Sequence, residues 1–128
     1  MVDAVEYLRE CGVFFVAAAG PHAAPFSTAA EFEGHLYVWI GKDSPVYAAL
    51  AADPRAEIAA VHPDKSWLSI SGRLTEDSRP EAAAALSEAA REGLAPAASA
   101  ARCAPFRLER GRAVRHHIMG ETEEWTLP

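Results

Sequence analysis

Ser44 and Pro45 are the residues whose types and order carry the clearest chemical signal. A serine followed by a proline is typical of a helix start, with the hydroxyl as the cap and proline at the first helical position. Free backbone N–H groups and the helix dipole attract anions at such an end, and Lys42 adds a positive charge nearby. The segment therefore predicts a phosphate seat, although a helix cap without any ligand is the simpler interpretation.

Two adjacent histidines, His116 and His117, are the next candidates for chemistry. Successive side chains of a strand point to opposite faces, so the two make a poor pair of metal ligands. Cys11 and Cys103 show neither CxxC nor metal-ligand spacing. We expect no metal site, and at most one of the two histidines facing a pocket.

Familiar catalytic signatures are missing from the chain. It contains no GxGxxG, GxxxxGK[ST], HExxH or GxSxG motif. Ser69 and Ser71 have no histidine at a suggestive spacing, so the residues offer no starting point for a serine hydrolase. The catalytic residues stay unknown.

Length and charge narrow the class of protein. The 128 residues fit one domain, 1–128, and the net charge of -6 argues against a nucleic-acid partner. Two lone cysteines and the lack of a signal peptide indicate the cytoplasm. The longest apolar run, 13–19, is too short to cross a bilayer, so we expect no membrane partner.

The first half of the chain predicts a helix, a strand and a hairpin. Asp3 caps a helix that ends at Gly12, and 13–19 is apolar on both strand faces, which favours cover by a second chain. Strands over 24–32 and 35–40 form a hairpin across Glu33-Gly34, with a bulged turn at the glycine.

The second half predicts two helices and two further strand pairs. The Ser44 helix ends at Asp53-Pro54 and is followed by strands over 55–62 and 66–75, the latter with Trp67 on its outward face. A helix over 79–93 leads into an alanine-rich link, 95–104. The last hairpin joins 113–118 to 121–127 across Met119-Gly120.

One family shares this order of elements and several of its motifs. The matching residues are Pro25-Phe26, Glu31 to Gly34, Leu36-Tyr37, Gly41, Val46-Tyr47, Asp53-Pro54 and Glu57-Ile58. In these positions the chain resembles the small FMN-binding split-barrel proteins related to pyridoxamine 5'-phosphate oxidase. The resemblance extends through Trp67 to Gly72 and the closing hairpin, over nearly the whole chain.

The resemblance implies a mainly β (α+β) fold, an antiparallel split β-barrel with Greek-key topology, six or seven strands and two or three short helices. It also implies a cytoplasmic homodimer with two interface clefts, and an FMN-dependent oxidoreductase that acts on a small-molecule substrate. The residues expected to bind FMN are Phe26, Ser27, Thr28, Trp39, Ile40, Gly41, Lys42, Ser44, Val46 and Trp125.

The departures from the family's pattern lie at the phosphate. An arginine that precedes Pro-Phe in the family is Ala24 here, and its lysines before Val-Tyr are Ser44 and Pro45. Two alternatives to the flavin enzyme therefore stay open. One is a cleft reused for another ligand, such as haem, a deazaflavin or a metabolite in a non-redox reaction, with His22, His116 or His117 as candidates for chemistry. The other is a non-enzymatic dimer that binds a ligand.

Overall fold

The computed structural model describes residues 2–92 and 102–128. Within these ranges the helices are α1 (Ala4–Cys11), α2 (Pro45–Ala52) and α3 (Pro80–Glu92). The strands are β1 (Phe14–Ala18), β2 (His22–Phe26), β3 (Ala29–Phe32), β4 (His35–Gly41), β5 (Arg55–Val61), β6 (Trp67–Glu76), β7 (Cys103–His116) and β8 (Thr122–Leu127).

All the strands join one antiparallel sheet in the order β2-β1-β5-β6-β7-β4-β3, with β8 paired to part of β7. The sheet curls into a half-barrel, and with the helices it forms the α+β split barrel that the resemblance predicted. The pairs β1 with β5 and β4 with β7 join strands that are distant in sequence. Among the described residues, no helix is both long and apolar enough to cross a membrane.

Two hydrophobic cores lie on opposite faces of the sheet. The main core fills the barrel with the inward residues of the central strands, among them Phe14, Val16, Ile58 and Ile70. A smaller core between α3 and the β3–β4 hairpin contains Tyr37, Trp39, Ala82 and Leu86. Alternation along β6 is as predicted, with Leu68, Ile70 and Leu74 buried and Trp67, Ser71 and Arg73 exposed.

The strand predicted over 24–32 is wrong, because the chain changes partners within it. β2 pairs with β1, and after Ser27 and Thr28 the chain continues as β3, which pairs with β4. This corner moves the chain from one edge of the open sheet to the other. It raises the number of described strands to eight instead of the expected six or seven.

The link predicted over 95–104 lies largely outside the described residues. Its last two positions, Cys103 and Ala104, belong to β7, a strand of 14 residues that pairs with β4, β6 and β8. Only the C-terminal part of this strand, from Ala113, was predicted. Its first half carries Pro105 and closely spaced charges, which hide the period-2 pattern of a strand.

The turn between β3 and β4 is also different from the prediction. Phe32 pairs with His35, so Glu33 and Gly34 form a two-residue loop, and their φ angles are 53° and 80°. Positive φ at both positions is the signature of a type I′ turn, whose twist matches that of the flanking strands. A bulged turn is therefore excluded here.

Helix α1 has the predicted cap, because the Asp3 carboxylate accepts the N–H groups of Val5 and Glu6. The helix is also joined to the segment before β6 by hydrogen bonds. The Tyr7 hydroxyl lies 2.7 Å from Ser66 Oγ, which in turn is 2.5 Å from a carboxylate oxygen of Asp64. Because ionised Asp64 can only accept, Ser66 donates to it and accepts from Tyr7.

Candidate functional site

The start of α2 is capped as the sequence predicts, but its backbone donors are already used. Ser44 Oγ accepts the Val46 N–H at 3.2 Å, and the Ser44 carbonyl accepts the Tyr47 N–H at 3.0 Å. The backbone N–H of Ser44 donates to the Gly41 carbonyl at 3.0 Å, and Pro45 has no N–H. Contrary to the expectation of free amide donors, the N–H groups of Ser44, Val46 and Tyr47 already have acceptors within the protein.

Two cationic residues meet beside this helix end. The Lys42 N–H donates to the Arg102 carbonyl at 2.8 Å, and both residues are exposed. Burial raises the pKa of the neighbouring Cys103 thiol; the charge of Asp43 raises it further, whereas Lys42 and Arg102 lower it. These four residues therefore share one surface region, in which two positive charges outnumber one carboxylate.

Four of the residues expected to bind FMN have buried side chains: Thr28, Trp39, Ile40 and Val46. Ile40 and Val46 belong to the main core, and Trp39 is only 3% exposed in the smaller core under α3. Trp39 Nε1 is also buried and has no hydrogen-bond partner among the described residues.

The segment between β2 and β3 supplies the other expected ring contacts. Phe26 is half-buried against the main core, Ser27 is exposed and Thr28 is buried. The Thr28 carbonyl accepts the Trp39 N–H at 3.3 Å, so this segment lies beside β4. Helix α2 packs against β1 and β2, which brings its residues and this segment to one end of the barrel. Their roles toward FMN stay predictions.

Trp67 and Trp125 lie on opposite faces of the sheet. Trp125 pairs with Ala113, which is fully buried, and its side chain packs partly against the main core. Trp67 pairs with His116, three positions along β7 from Ala113, and is 41% exposed. Because side chains alternate along a strand, the two tryptophans cannot contribute to one surface of a single protomer.

The face that carries Trp67 is here called the outer face, and it is apolar at one end. Val13 and Phe15 on the β1 side are each 52% exposed, Val61 on β5 is 70% exposed, and Trp67 lies next to Val61. The sequence predicted uncovered apolar surface at 13–16 and at Trp67. Of residues 13–16, however, Phe14 and Val16 are buried in the main core.

The two adjacent histidines point to opposite faces, as predicted. The His116 and Trp67 rings stack with centroids 5.0 Å apart and planes 9° apart on the outer face. His117 Nε2 lies 3.1 Å from a Glu123 carboxylate oxygen. The described residues contain no group of three or more His, Cys, Asp and Glu side chains that can hold a metal ion.

Arg102 is the residue of this region that sequence reasoning missed. It ends the alanine-rich stretch and has no motif around it. Its position beside Lys42 follows from the pairing of Gly41 with Cys103, which joins residues 62 positions apart. Only knowledge of the β4–β7 pairing could have revealed it.

Solved structures of several proteins share this fold. A NimC/NimA family protein from Clostridium acetobutylicum is 25% identical, with a TM-score of 0.82 over 97% of this chain and 90% of that one. A haem-binding protein from Mycobacterium smegmatis is 20% identical, with a TM-score of 0.70; the alignment covers 98% of this chain and 59% of that longer protein.

A pyridoxamine 5'-phosphate oxidase-related, FMN-binding protein from Nostoc punctiforme is 12% identical, with a TM-score of 0.58 over 97% of this chain and 91% of that one. No protein-family model and no curated protein matches the sequence. The chain has the fold of the split-barrel proteins related to pyridoxamine 5'-phosphate oxidase, as its sequence motifs predicted.

Proposed function

We propose that the protein is a small FMN-binding flavoprotein and an oxidoreductase. The observation that carries this proposal is the pair of cations, Lys42 and Arg102, beside the capped start of α2, in a fold shared with a protein that binds FMN. A phosphate dianion placed between these side chains gains charge-assisted hydrogen bonds, each about 1.5–3 kcal/mol. Asp43 opposes part of this gain.

The fit to FMN rests on side chains and not on helix amides. Lys42 and Arg102 would hold the phosphate, and the exposed Ser27 and the half-buried Gly41 would border the ring. A bound flavin supplies hydride transfer, whereas the protein orients the ring and excludes water from it. The N–H groups at the start of α2 are already bonded, and Ala24 and Pro45 carry no charge. We therefore expect this site to bind FMN more weakly than a site that has cations at positions 24 and 45 as well.

Two copies of the chain form the functional unit in this proposal. Val13, Phe15, Val61 and Trp67 leave a contiguous apolar end on the outer face, and such surfaces are usually covered by a partner. A homodimer through this face covers them and creates two equivalent clefts between the protomers. The proposed substrate is a small molecule that reaches the flavin from such a cleft.

Reconstitution tests the flavin directly. The purified protein is incubated with excess FMN, desalted, and its visible spectrum recorded. Retained flavin absorbance near one equivalent per chain supports the proposal. A protein that is folded by circular dichroism and stays colourless after this treatment contradicts it.

Haem is the second candidate, and a specific observation favours it. The haem-binding structure superposes on 98% of this chain with a higher TM-score than the FMN-binding one, 0.70 against 0.58. His116, on the outer face, is the residue we assign to the iron in that case. Titration with hemin distinguishes the two: a sharp Soret band in the parent that is lost in His116→Ala supports haem.

A further inference from the structure

A cavity of about 320 Å³ opens at the edge of the barrel core, between the start of α1, the β3–β4 hairpin and β8. We call it the Trp125 pocket; the lining residues that matter for a ligand are Asp3, Val5, Glu31, Leu36, Trp125 and Leu127. Its volume is within the range of small-molecule sites. Because Trp125 and Trp67 lie on opposite faces of the sheet, this pocket is not part of the outer face.

The apolar part of the Trp125 pocket is built from side chains at the rim of the main core. Leu36 is buried in that core, and Val5, Trp125 and Leu127 pack partly against it. Trp125 and Leu127 are two positions apart on β8, so both point to the barrel side of the strand. A ligand in the pocket therefore buries its apolar body against one indole ring and three aliphatic side chains.

Two carboxylates complete the pocket, and none of the described lining residues is a lysine, an arginine or a histidine. Glu31 pairs with Leu36, which places the glutamate on the barrel side of the edge strand β3. No residue of the described ranges forms an ion pair with Glu31. Asp3 caps α1 through Oδ1 alone, which accepts the N–H groups of both Val5 and Glu6, so Oδ2 stays available to a ligand. The described lining therefore holds two negative charges without a cation.

This combination defines the class of the ligand. An anion is repelled by both carboxylates, and a neutral apolar molecule uses only the hydrophobic wall. An ammonium ion with an apolar body uses both, and its charge also gains from the indole face through a cation–π interaction. A metal ion fits poorly, because calcium takes about six oxygen ligands or more, and the described residues offer no group of three or more suitable side chains.

The Trp125 pocket is distant from the cation pair at α2. Strand β4 begins at His35, next to the lining residue Leu36, and ends at Gly41, next to Lys42. Its 7 residues span about 20 Å. A ligand in this pocket therefore does not compete with a phosphate held by Lys42 and Arg102.

We propose that the Trp125 pocket binds a small organic ammonium ion, with its apolar body against Trp125 and its positive charge at the carboxylates of Asp3 and Glu31. The inference rests on the residues of the pocket alone and holds with or without FMN at α2. Its test therefore needs no flavin.

Three probes of similar shape and different charge test the pocket. They are the phenethylammonium ion, neutral phenethyl alcohol and the phenylacetate anion, each titrated into isotope-labelled protein and followed by NMR. The 3 tryptophans supply the indole N–H signals, and Trp125→Phe identifies the signal from the pocket.

Two substitutions remove the charges of the pocket without removing its walls. Glu31→Gln acts at an exposed position, and Asp3→Asn keeps a side chain that caps helices well. Glu88→Gln, exposed on α3 and outside the pocket, is the matched control.

The expected result is that phenethylammonium shifts the Trp125 signal, leaves those of Trp39 and Trp67 in place, and binds about tenfold more tightly than the alcohol. Each single substitution should weaken binding of the ammonium ion about fivefold, the effect of one charge pair in contact in water. The double variant Asp3→Asn/Glu31→Gln should lose the preference for the ammonium ion, whereas Glu88→Gln should bind as the parent does.

Three results would overturn the proposal. The first is a Trp125 signal of the folded parent that the ammonium ion does not shift. The second is an alcohol or a phenylacetate ion that binds as tightly as the ammonium ion. The third is a folded double variant that binds the ammonium ion with the parent's affinity, because the carboxylates then play no part.

Discussion

The Lys42 N–H donates to the Arg102 carbonyl at 2.8 Å, and this bond places two cations at the end of β4 and the start of β7. Neither residue belongs to the family positions whose charges this chain has lost. Pro45, which replaces one of those cations, is exposed at the first position of α2.

Restoring a cation at Pro45 is expected to tighten FMN binding. Pro45→Lys adds a positive charge and a backbone donor at the start of α2, and we expect at least a tenfold gain in affinity, about 1.4 kcal/mol. Ala51→Lys is the matched control, because it adds the same charge to an exposed position at the other end of α2. Quenching of FMN fluorescence measures both; equal affinities show that the phosphate lies elsewhere.

Restoring a cation at Ala24 would be harder to interpret, because it changes packing as well as charge. Ala24 stands where the family has an arginine, but its side chain packs partly against the main core. An arginine there adds volume next to the core as well as a charge. Pro45 is therefore the informative position.

The protein is expected to be a dimer that depends on the outer face. Phe15→Asp places a charge in the half-exposed apolar region and should convert the parent, at twice 13.7 kDa, into a monomer. Ala51→Asp on the exposed side of α2 serves as the control and should keep the parent's mass. Light scattering gives the masses, and a monomeric parent at low micromolar concentration refutes the dimer.

The close approach of β6 and β7 at Gly72 predicts a large effect of one methyl group. A Cβ at Gly72 meets the Glu109 carbonyl oxygen and Leu108 Cδ1, each at 2.9 Å, where the register shifts between Ser71 and Arg73. Gly72→Ala should lower the free energy of unfolding by about 1–3 kcal/mol. Ser71→Ala, exposed next to it, should change it by less than about 0.5 kcal/mol. Urea denaturation compares the two variants; equal midpoints contradict this packing.

The contact between α1 and the loop after β5 predicts a loss of stability in acid. Hydrogen bonds from the Ser66 hydroxyl and backbone N–H lower the pKa of Asp64 from 3.8 to about 2, with help from the charges of His62 and Arg115. Because the folded pKa is the lower one, the stabilisation is present above about pH 4 and is lost as the pH falls toward 2.

Asp64→Asn removes this dependence and therefore tests it. Between about pH 5 and about pH 3, the urea midpoint of Asp64→Asn should fall less than that of the parent. Asp43→Asn, an exposed carboxylate outside this contact, is the control. A parallel fall in the parent and in Asp64→Asn refutes the role given to Asp64.

Local signals predicted much of the fold. The Ser44-Pro45 cap, the Asp3 cap and the alternation of β6 depend on neighbouring residues, and the structure confirms all three. The corner at Ser27-Thr28 and the first half of β7 were missed, because both depend on which distant strand the chain pairs with. A period-2 pattern indicates a strand but does not show which other strand it pairs with.

The candidate site was harder to predict for the same reason. Ser44 and Lys42 lie close in sequence, so their association was visible, whereas Arg102 reaches them only through the β4–β7 pairing. The engaged amides of α2 were not predictable from residue types, because they depend on the geometry of the first turn. Trp39 was expected at a ring, yet α3 covers it.

The measurement that tests the central claim most directly compares FMN with riboflavin, which has the same ring without the phosphate. The parent should bind FMN at least tenfold more tightly than riboflavin. Lys42→Glu and Arg102→Glu should each remove this preference and leave riboflavin binding unchanged, whereas His22→Ala should keep it. Equal affinities of the parent for FMN and riboflavin, or a preference that survives both charge reversals, would contradict a phosphate seat at Lys42 and Arg102.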